Sequence, residues 1–140
     1  MEGPDSLVVE DDPDPHDLAL LEERLSAAAV AAVGLGDEKE FGIFVRDDGR
    51  VLAGISGSFW AGCCQIHALW VDDARRGQGL ARRLLARTED EARRQGCRLV
   101  MGITYDALTE GFYEPLGYET VGTIEDCPTG TATRWYRKDL

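Results

Sequence analysis

One continuous stretch constrains this chain more than any other: "CQIHALWV", then "DDARRGQGLARRLLARTEDEARRQG", then "CRLVMGIT", residues 64 to 104. An apolar β-prone run, a glycine-bearing loop, a helical pattern and a second apolar run give a strand, a helix and a buried second strand. Leu80, Leu84, Leu85, Thr88 and Ala92 recur at helical spacing from the glycines onward, so the loop sits at a helix N-terminus. A helix start presents backbone N–H groups without intrahelical acceptors and a partial positive charge. Gly77 and Gly79 leave that backbone open to close approach, and the combination suits a phosphate.

Charge supports a local purpose for the loop. The chain has a formal net charge of -11, yet residues 72 to 98 hold eight arginines against five acids, a local excess of +3. Arg75, Arg76, Arg82 and Arg83 flank the loop and are placed to pair with phosphate oxygens, with Arg76 the one expected to touch the ligand. Arg87, Arg93, Arg94 and Arg98 read as a solvated helix surface with intrahelical pairs Glu89 to Arg93 and Asp90 to Arg94. The ligand is not a simple nucleotide by motif. A Walker loop requires Gly-Lys-Ser/Thr, which is absent, and the dinucleotide fingerprint requires a third glycine where Arg82 stands.

The flanking segments supply the rest of a sheet. "SLVVE" (6–10) reads as a short strand, and a helix runs from about Asp14 to Val33 with Leu18, Leu21, Leu25, Ala28 and Ala32 on one face, ending at Gly34. "EFGIFVRD" and "RVLAGISGSFW" form a hairpin through the Asp-Gly step of "DDGR", and "AGC" turns the chain into "CQIHALWV". After "CRLVMGIT" come a short helix in "ALTEGFYEPLGY" ended at Gly117, and two strands, "YETVGTI" and "TATRWYRKDL", separated by "EDCPTG". The expected order is β-α-β-β-β-α-β-α-β-β. It describes one α/β domain over residues 1–140: a mixed, mostly antiparallel twisted sheet flanked by helices, around the central β-α-β unit.

Composition narrows the partners. With 140 residues and 44% hydrophobic content the chain suits a single core. Its acidity argues against nucleic-acid binding, which needs a basic surface. No run reaches the roughly 18 apolar residues of a membrane helix, and "MEGPDSLVVEDDPDP" lacks the basic and apolar regions of a signal peptide, so a cytoplasmic location is expected. Cys63, Cys64, Cys97 and Cys127 show neither C-x-x-C nor Cys/His metal spacing and read as unpaired thiols, so no metal is expected.

"ALWVDDARRGQGLARRLL" resembles the acyl-CoA-binding motif of the GNAT superfamily of N-acetyltransferases, Arg/Gln-x-x-Gly-x-Gly/Ala, matched by Arg76, Gly79 and Ala81. "GFYEPLGYE" resembles that family's Phe-Tyr-x-x-x-Gly-Phe/Tyr signature, and two motifs in this order are far more specific than either alone. The resemblance is good from about residue 40 to 138 and implies a GNAT-like fold that uses acetyl-CoA as co-substrate without a metal. It implies a coenzyme site formed by Leu69, Trp70, Val71, Arg75, Arg76, Gly77, Gln78, Gly79, Leu80, Ala81 and Arg82. The N–H groups of Gln78 to Ala81 would hold the pyrophosphate, and the main chain of Leu69 to Val71 would pair with the pantetheine arm. Tyr113 falls on the tyrosine that protonates the departing thiolate, and His67 stands where many members carry glutamate, as a candidate base. There are two departures: one N-terminal helix where many members have two, and Asp106 where asparagine is frequent.

The implied reaction is acetyl transfer to a primary amine by direct attack in a ternary complex. A small cationic amine is favoured because Glu10, Asp11, Asp12, Asp14, Asp17, Glu22 and Glu23 crowd the first strand and helix. A protein lysine or N-terminus, and a non-catalytic acyl-CoA-binding or sensing module, stand as alternatives, and the resemblance allows a homodimer. On "QIHALWV", alternation puts His67, Leu69 and Val71 on one face and Ile66, Ala68 and Trp70 on the other. His16 is read as incidental, and Trp60 and Trp70 are expected in the core rather than the cleft.

Overall fold

The structure is a computed structural model that describes residues 3–4, 6–109 and 111–140. Its contacts divide the chain into two compact units, residues 1–34 and 35–140, each described by itself.

The first unit contains α1 (Pro15–Val33). Asp14 caps it by accepting from the His16 backbone N–H at 2.8 Å, Pro15 occupies the first turn, and Gly34 ends it in the left-handed conformation. His16 Nδ1 also lies 3.1 Å from the Asp14 carboxylate, so both belong to the cap. The strand expected over residues 6–10 is absent, and Leu7, Val8 and Val9 are exposed. β-Propensity measures how well a residue fits against paired neighbours, and this run has no strand beside it.

The second unit is a six-stranded sheet with two helices. In chain order these are β1 (Lys39–Asp47), β2 (Arg50–Trp60), β3 (Cys63–Val71), α2 (Leu80–Arg94), β4 (Leu99–Tyr105), α3 (Asp106–Thr109), β5 (Glu119–Glu125) and β6 (Ala132–Asp139). The strands lie in the order β1-β2-β3-β4-β6-β5, with β3 and β4 parallel and every other neighbour antiparallel. Asp48 and Gly49 carry φ of 52° and 76°, the type I′ turn that the Asp-Gly step predicts. Ala61 and Gly62 repeat the geometry between β2 and β3, with φ of 52° and 82°.

α2 buries Leu84, Leu85 and Ala92 in one cluster with Ala53, Ile55 and Phe59 of β2, Cys64 and Ile66 of β3, Val100 of β4 and Tyr136 of β6, and buries Thr88 with its hydroxyl donating to the Leu84 carbonyl at 2.9 Å. The helix expected over residues 107–118 is replaced by the single turn α3 and a separate 3-10 turn at Glu114–Leu116. Gly111 has φ of +78° and Pro115 has no N–H to donate, so no regular helix crosses this segment.

One irregularity shapes the centre of the sheet. Gly57 pairs with Ile66 while Ser56 pairs with Ala68, so β3 carries one extra residue, His67, as a bulge. The alternation read from the sequence therefore changes phase at His67. Cys64 and Ile66 face the core before it, and Leu69 and Val71 pack against the same core after it. A Cβ on Gly57 would strike the Gln65 carbonyl oxygen and the Phe41 ring, so the residue opposite the bulge must be glycine. Gly57→Ala is expected to destabilise the protein by about 1–3 kcal/mol, the usual cost of forcing extra volume into a packed site, as read by chemical denaturation. An unchanged midpoint would show that the strands can shift to take a methyl group.

Candidate active site

The bulge ends a ladder. β3 and β4 pair from Cys63 and Leu99 only as far as Ile66 and Gly102. Beyond that step the strands part, leaving main chain of residues 67–71 and 103–105 without cross-strand partners between them. The gap widens into a cleft of about 700 Å³, walled by β3 from Ile66 to Val71, by β4 from Gly102 to Tyr105, by the loop before α2, and by Ala107 to Thr109 with Phe112 and Tyr113.

At one end lies the glycine loop. Gly77 and Gly79 have φ of +77° and +78°, a left-handed backbone that other residues adopt only under strain, and a Cβ built on either would meet nothing within 4 Å. Glycine is thus required by backbone conformation, and the space beside it is open. Gly79 is the N-cap of α2 and makes no side-chain capping bond, so the first-turn N–H groups have no side-chain acceptor from that residue. Arg75, Arg76 and Arg82 line the cleft with Leu80 and Ala81, whereas Gln78 and Arg83 are not among its wall residues. The Arg76 guanidinium is tied within its own loop, with Nε donating to the Val71 carbonyl at 3.3 Å and Nη2 lying 3.1 Å from Asp73. Arg75 lies 3.9 Å from the Asp47 carboxylate.

Along the walls, His67 is exposed at the bulge, its Nε2 3.4 Å from Ser58 Oγ. Trp70 also lines the cleft, half exposed. Trp60 is only partly buried and donates its indole N–H to the Gly36 carbonyl at 2.8 Å. Neither tryptophan fills the core as expected: the phase change at His67 turns Trp70 away from the core, and the polar indole N–H of Trp60 is satisfied at the periphery.

The deep wall is a tyrosine cluster. Tyr113, 7% exposed, stacks on Tyr136 with centroids 5.0 Å apart and meets Phe112 and Tyr118 edge-on at 4.9 and 5.4 Å. Burial, with a smaller contribution from Tyr136, pushes the Tyr113 phenol up to about 12. Behind it sits a buried ionic group that sequence reading assigned to the helix surface. Glu89 accepts from Tyr118 Oη at 3.0 Å and from Lys138 Nζ at 2.7 Å. The pairs Glu89 to Arg93 and Asp90 to Arg94 therefore do not form; Arg93 bonds Asp90 at 3.3 Å and Arg94 bonds Glu91 at 2.8 Å, each three residues apart. Helical position alone cannot show that residue 89 turns toward the sheet, because the acid follows Thr88 at the edge of the apolar stripe.

Asp106 also has a partner that the sequence did not reveal. Its carboxylate accepts from Arg134 Nε at 2.6 Å, tying the first residue of α3 to β6, while Thr104 and Thr109 hydroxyls bond at 2.9 Å. These contacts hold the short helix that forms one lip of the cleft. Thr104, Tyr105, Ala107, Leu108, Thr109 and Phe112 were not anticipated as wall residues. The available signal was Gly102, a glycine inside an otherwise apolar strand, which marks a place where backbones approach or part. No group of described residues could hold a metal ion, and no helix among them is long and apolar enough to cross a membrane. The four cysteines are free thiols.

The family model described as "Acetyltransferase (GNAT) family" matches residues 5–118. A protein of Agrobacterium fabrum, acetyltransferase Atu2258, is 31% identical over 137 residues, covering 95% of this chain and 98% of its own. Blasticidin-S acetyltransferase of Streptomyces morookaense is 36% identical over 93 residues, covering 66% and 68%. Among solved structures, a protein of Agrobacterium tumefaciens provisionally named an acetyltransferase superposes with a TM-score of 0.85 at 31% identity over 96% of this chain and 99% of that one. An aminoglycoside 6'-N-acetyltransferase complexed with coenzyme A shares the fold, with a TM-score of 0.61 at 21% identity over 87% and 84%.

The buried phenols make stability sensitive to alkali. Burial and the Glu89 contact raise Tyr118 above its ordinary 10.0, burial raises Tyr113 above the same value, and burial pushes the Cys64 thiol from 9.0 to about 12. Each keeps its proton in the folded state at a pH where the unfolded chain has lost it. Their stabilising contribution is complete below about pH 9 and is lost as pH rises toward 12. Denaturation midpoints should therefore fall between about pH 8 and about pH 11. A flat midpoint over that window would mean these groups are solvated.

Proposed function

Because the chain belongs to the GNAT family of acetyltransferases and is an acyltransferase, we propose that it transfers an acetyl group from acetyl-CoA to a primary amine by direct attack in a ternary complex. Residues 1–140 would act as one N-acetyltransferase domain, supported by a relative aligned over 95% of this chain. The observation that carries the reading is the cleft opened by the His67 bulge, with a helix N-terminus and arginines at one end and Tyr113 in its deep wall. Its parts fit coenzyme A. The open loop of Gly77 and Gly79, with Leu80, Ala81 and Gln78, would receive the pyrophosphate on backbone N–H groups, assisted by Arg75, Arg76 and Arg82. The main chain of Leu69, Trp70 and Val71, paired with β2 on one edge but not with β4 on the other, would accept an amide-bearing arm as an added strand once the Val71 carbonyl is released by Arg76.

Acetyl-CoA supplies the thioester: the amine nitrogen forms the new C–N bond, the C–S bond breaks, nitrogen loses one proton and sulfur gains one. This chain's residues manage the charge. Tyr113, kept protonated by burial, faces the cleft as a phenol O–H donor through neutral and mildly alkaline pH. A thiol has an ordinary pKa near 8.5, so a phenol at about 12 is the weaker acid. Its contribution is a hydrogen bond on sulfur as negative charge develops, and the proton that the departing thiolate gains comes from water. His67, exposed at the bulge within hydrogen-bond reach of Ser58, is the proton acceptor from the amine, directly or through water. Backbone N–H groups exposed by the parting of β3 and β4 would stabilise the tetrahedral oxygen.

Free-thiol release should appear when purified protein receives acetyl-CoA with a panel of primary amines. Tyr113→Phe should lower kcat by about 10- to 100-fold with acetyl-CoA affinity retained. Full kcat in that variant would remove the tyrosine's role, and coenzyme binding without turnover on any amine would favour a binding or sensing module. Gly79→Glu should weaken acetyl-CoA binding, measured by calorimetry, by at least about tenfold, because it places a carboxylate and a strained backbone at the helix N-terminus. Unaltered binding would mean the loop does not receive the phosphates.

A further inference from the structure

We infer that the acceptor carries its amine on an aromatic body, which enters from the sheet face opposite α2 and seats against Trp70, Ile103 and Tyr105. This rests on the acetyl-transfer reading of the cleft. The register fixes which residues share that face. In β4, Val100 is buried in the core and Gly102 pairs with the core residue Tyr136 in an unbroken register, so Ile103 and Tyr105 project to the other side. In β3, past the bulge, Leu69 and Val71 pack against the core, which leaves Ala68 and Trp70 on that same opposite side. Leu69 and Val71 from the core side, and Ala68, Trp70, Ile103 and Tyr105 from the opposite side, all line the cleft, so it runs through the sheet, with the glycine loop toward one face and an aromatic mouth at the other.

The mouth is apolar and uncovered: Trp70 is 50% exposed, Tyr105 45% and Ile103 43%. Its charge complement is equally specific. Among the described residues that line the cleft, the charged groups are Arg75, Arg76 and Arg82, and no carboxylate stands there. Among these described lining residues a polycation would meet like charge at one end and no counter-charge at the other. An arylalkylamine would stack its ring on Trp70 or Tyr105, and its ammonium, before losing a proton, would be held by the aromatic faces instead of a carboxylate.

The experiment compares kcat/KM for 2-phenylethylamine, n-butylamine, spermidine and a lysine peptide at one pH, with calorimetry of acetyl-CoA binding alongside. The expected result is a preference of at least about tenfold for phenylethylamine over n-butylamine and over spermidine. In Trp70→Ala the ratio of phenylethylamine to n-butylamine should collapse toward one, and in Trp70→Phe it should largely survive. Preference for spermidine or for the peptide, or an aryl preference unchanged in both Trp70→Ala and Tyr105→Ala, would overturn the inference while leaving acetyl transfer intact. Absence of both acetyl-CoA binding and turnover on every amine would overturn the acetyl-transfer reading as well.

Discussion

Where β2 advances directly from Ser56 to Gly57, β3 inserts His67, and its ladder with β4 stops beside the insertion at Ile66 and Gly102. Three properties of the molecule depend on that one extra residue. It returns Leu69 and Val71 to the core and sends Trp70 out of it. It frees main-chain groups on both parted strands, which a continuous ladder would have consumed. It also places the opening at the end of β3 from which the chain enters α2, so the helix N-terminus and its glycine loop stand over the gap. Gly57 makes the insertion possible, since any side chain there would collide with Gln65 and Phe41.

The opposite requirement, rigidity, is met behind the cleft. Tyr113 is clamped among Phe112, Tyr118 and Tyr136, and Tyr118 is fixed by Glu89, whose other oxygen holds Lys138 of β6. A buried carboxylate costs heavily unless its oxygens are satisfied, and here each has a donor. The result ties α2 to β6 across the tyrosine cluster. Burial that keeps the Tyr113 phenol protonated is the same burial that packs the floor of the site. Asp106 and Arg134 perform a similar service for α3 at the rim.

Much of this was legible in the residues. Asp48-Gly49 specified a hairpin, Asp14-Pro15 and Gly34 bounded α1, and the spacing of Leu80, Leu84, Leu85, Thr88 and Ala92 fixed the face of α2. Where the reading failed, local preference was overruled by what lay nearby in space. Residues 6–10 have strand-forming side chains but no strand beside them, and residues 107–118 carry a helix-like pattern that Gly111 and Pro115 interrupt. Glu89 looked like a surface acid until Tyr118 and Lys138, 29 and 49 residues away, were brought to it.

The sequence by itself determined the family, the order of the elements from α1 onward, and the loop whose glycines and arginines suit phosphate, because these follow from residue type and near-neighbour spacing. Tertiary structure alone decided the phase of β3, the depth of Tyr113, the partners of Glu89 and Asp106, and the aromatic character of the mouth at Trp70 and Tyr105. The physical reason is that a bulge is a property of two paired strands. Its effect on which side chains face the cleft exists only once β2, β3 and β4 lie side by side.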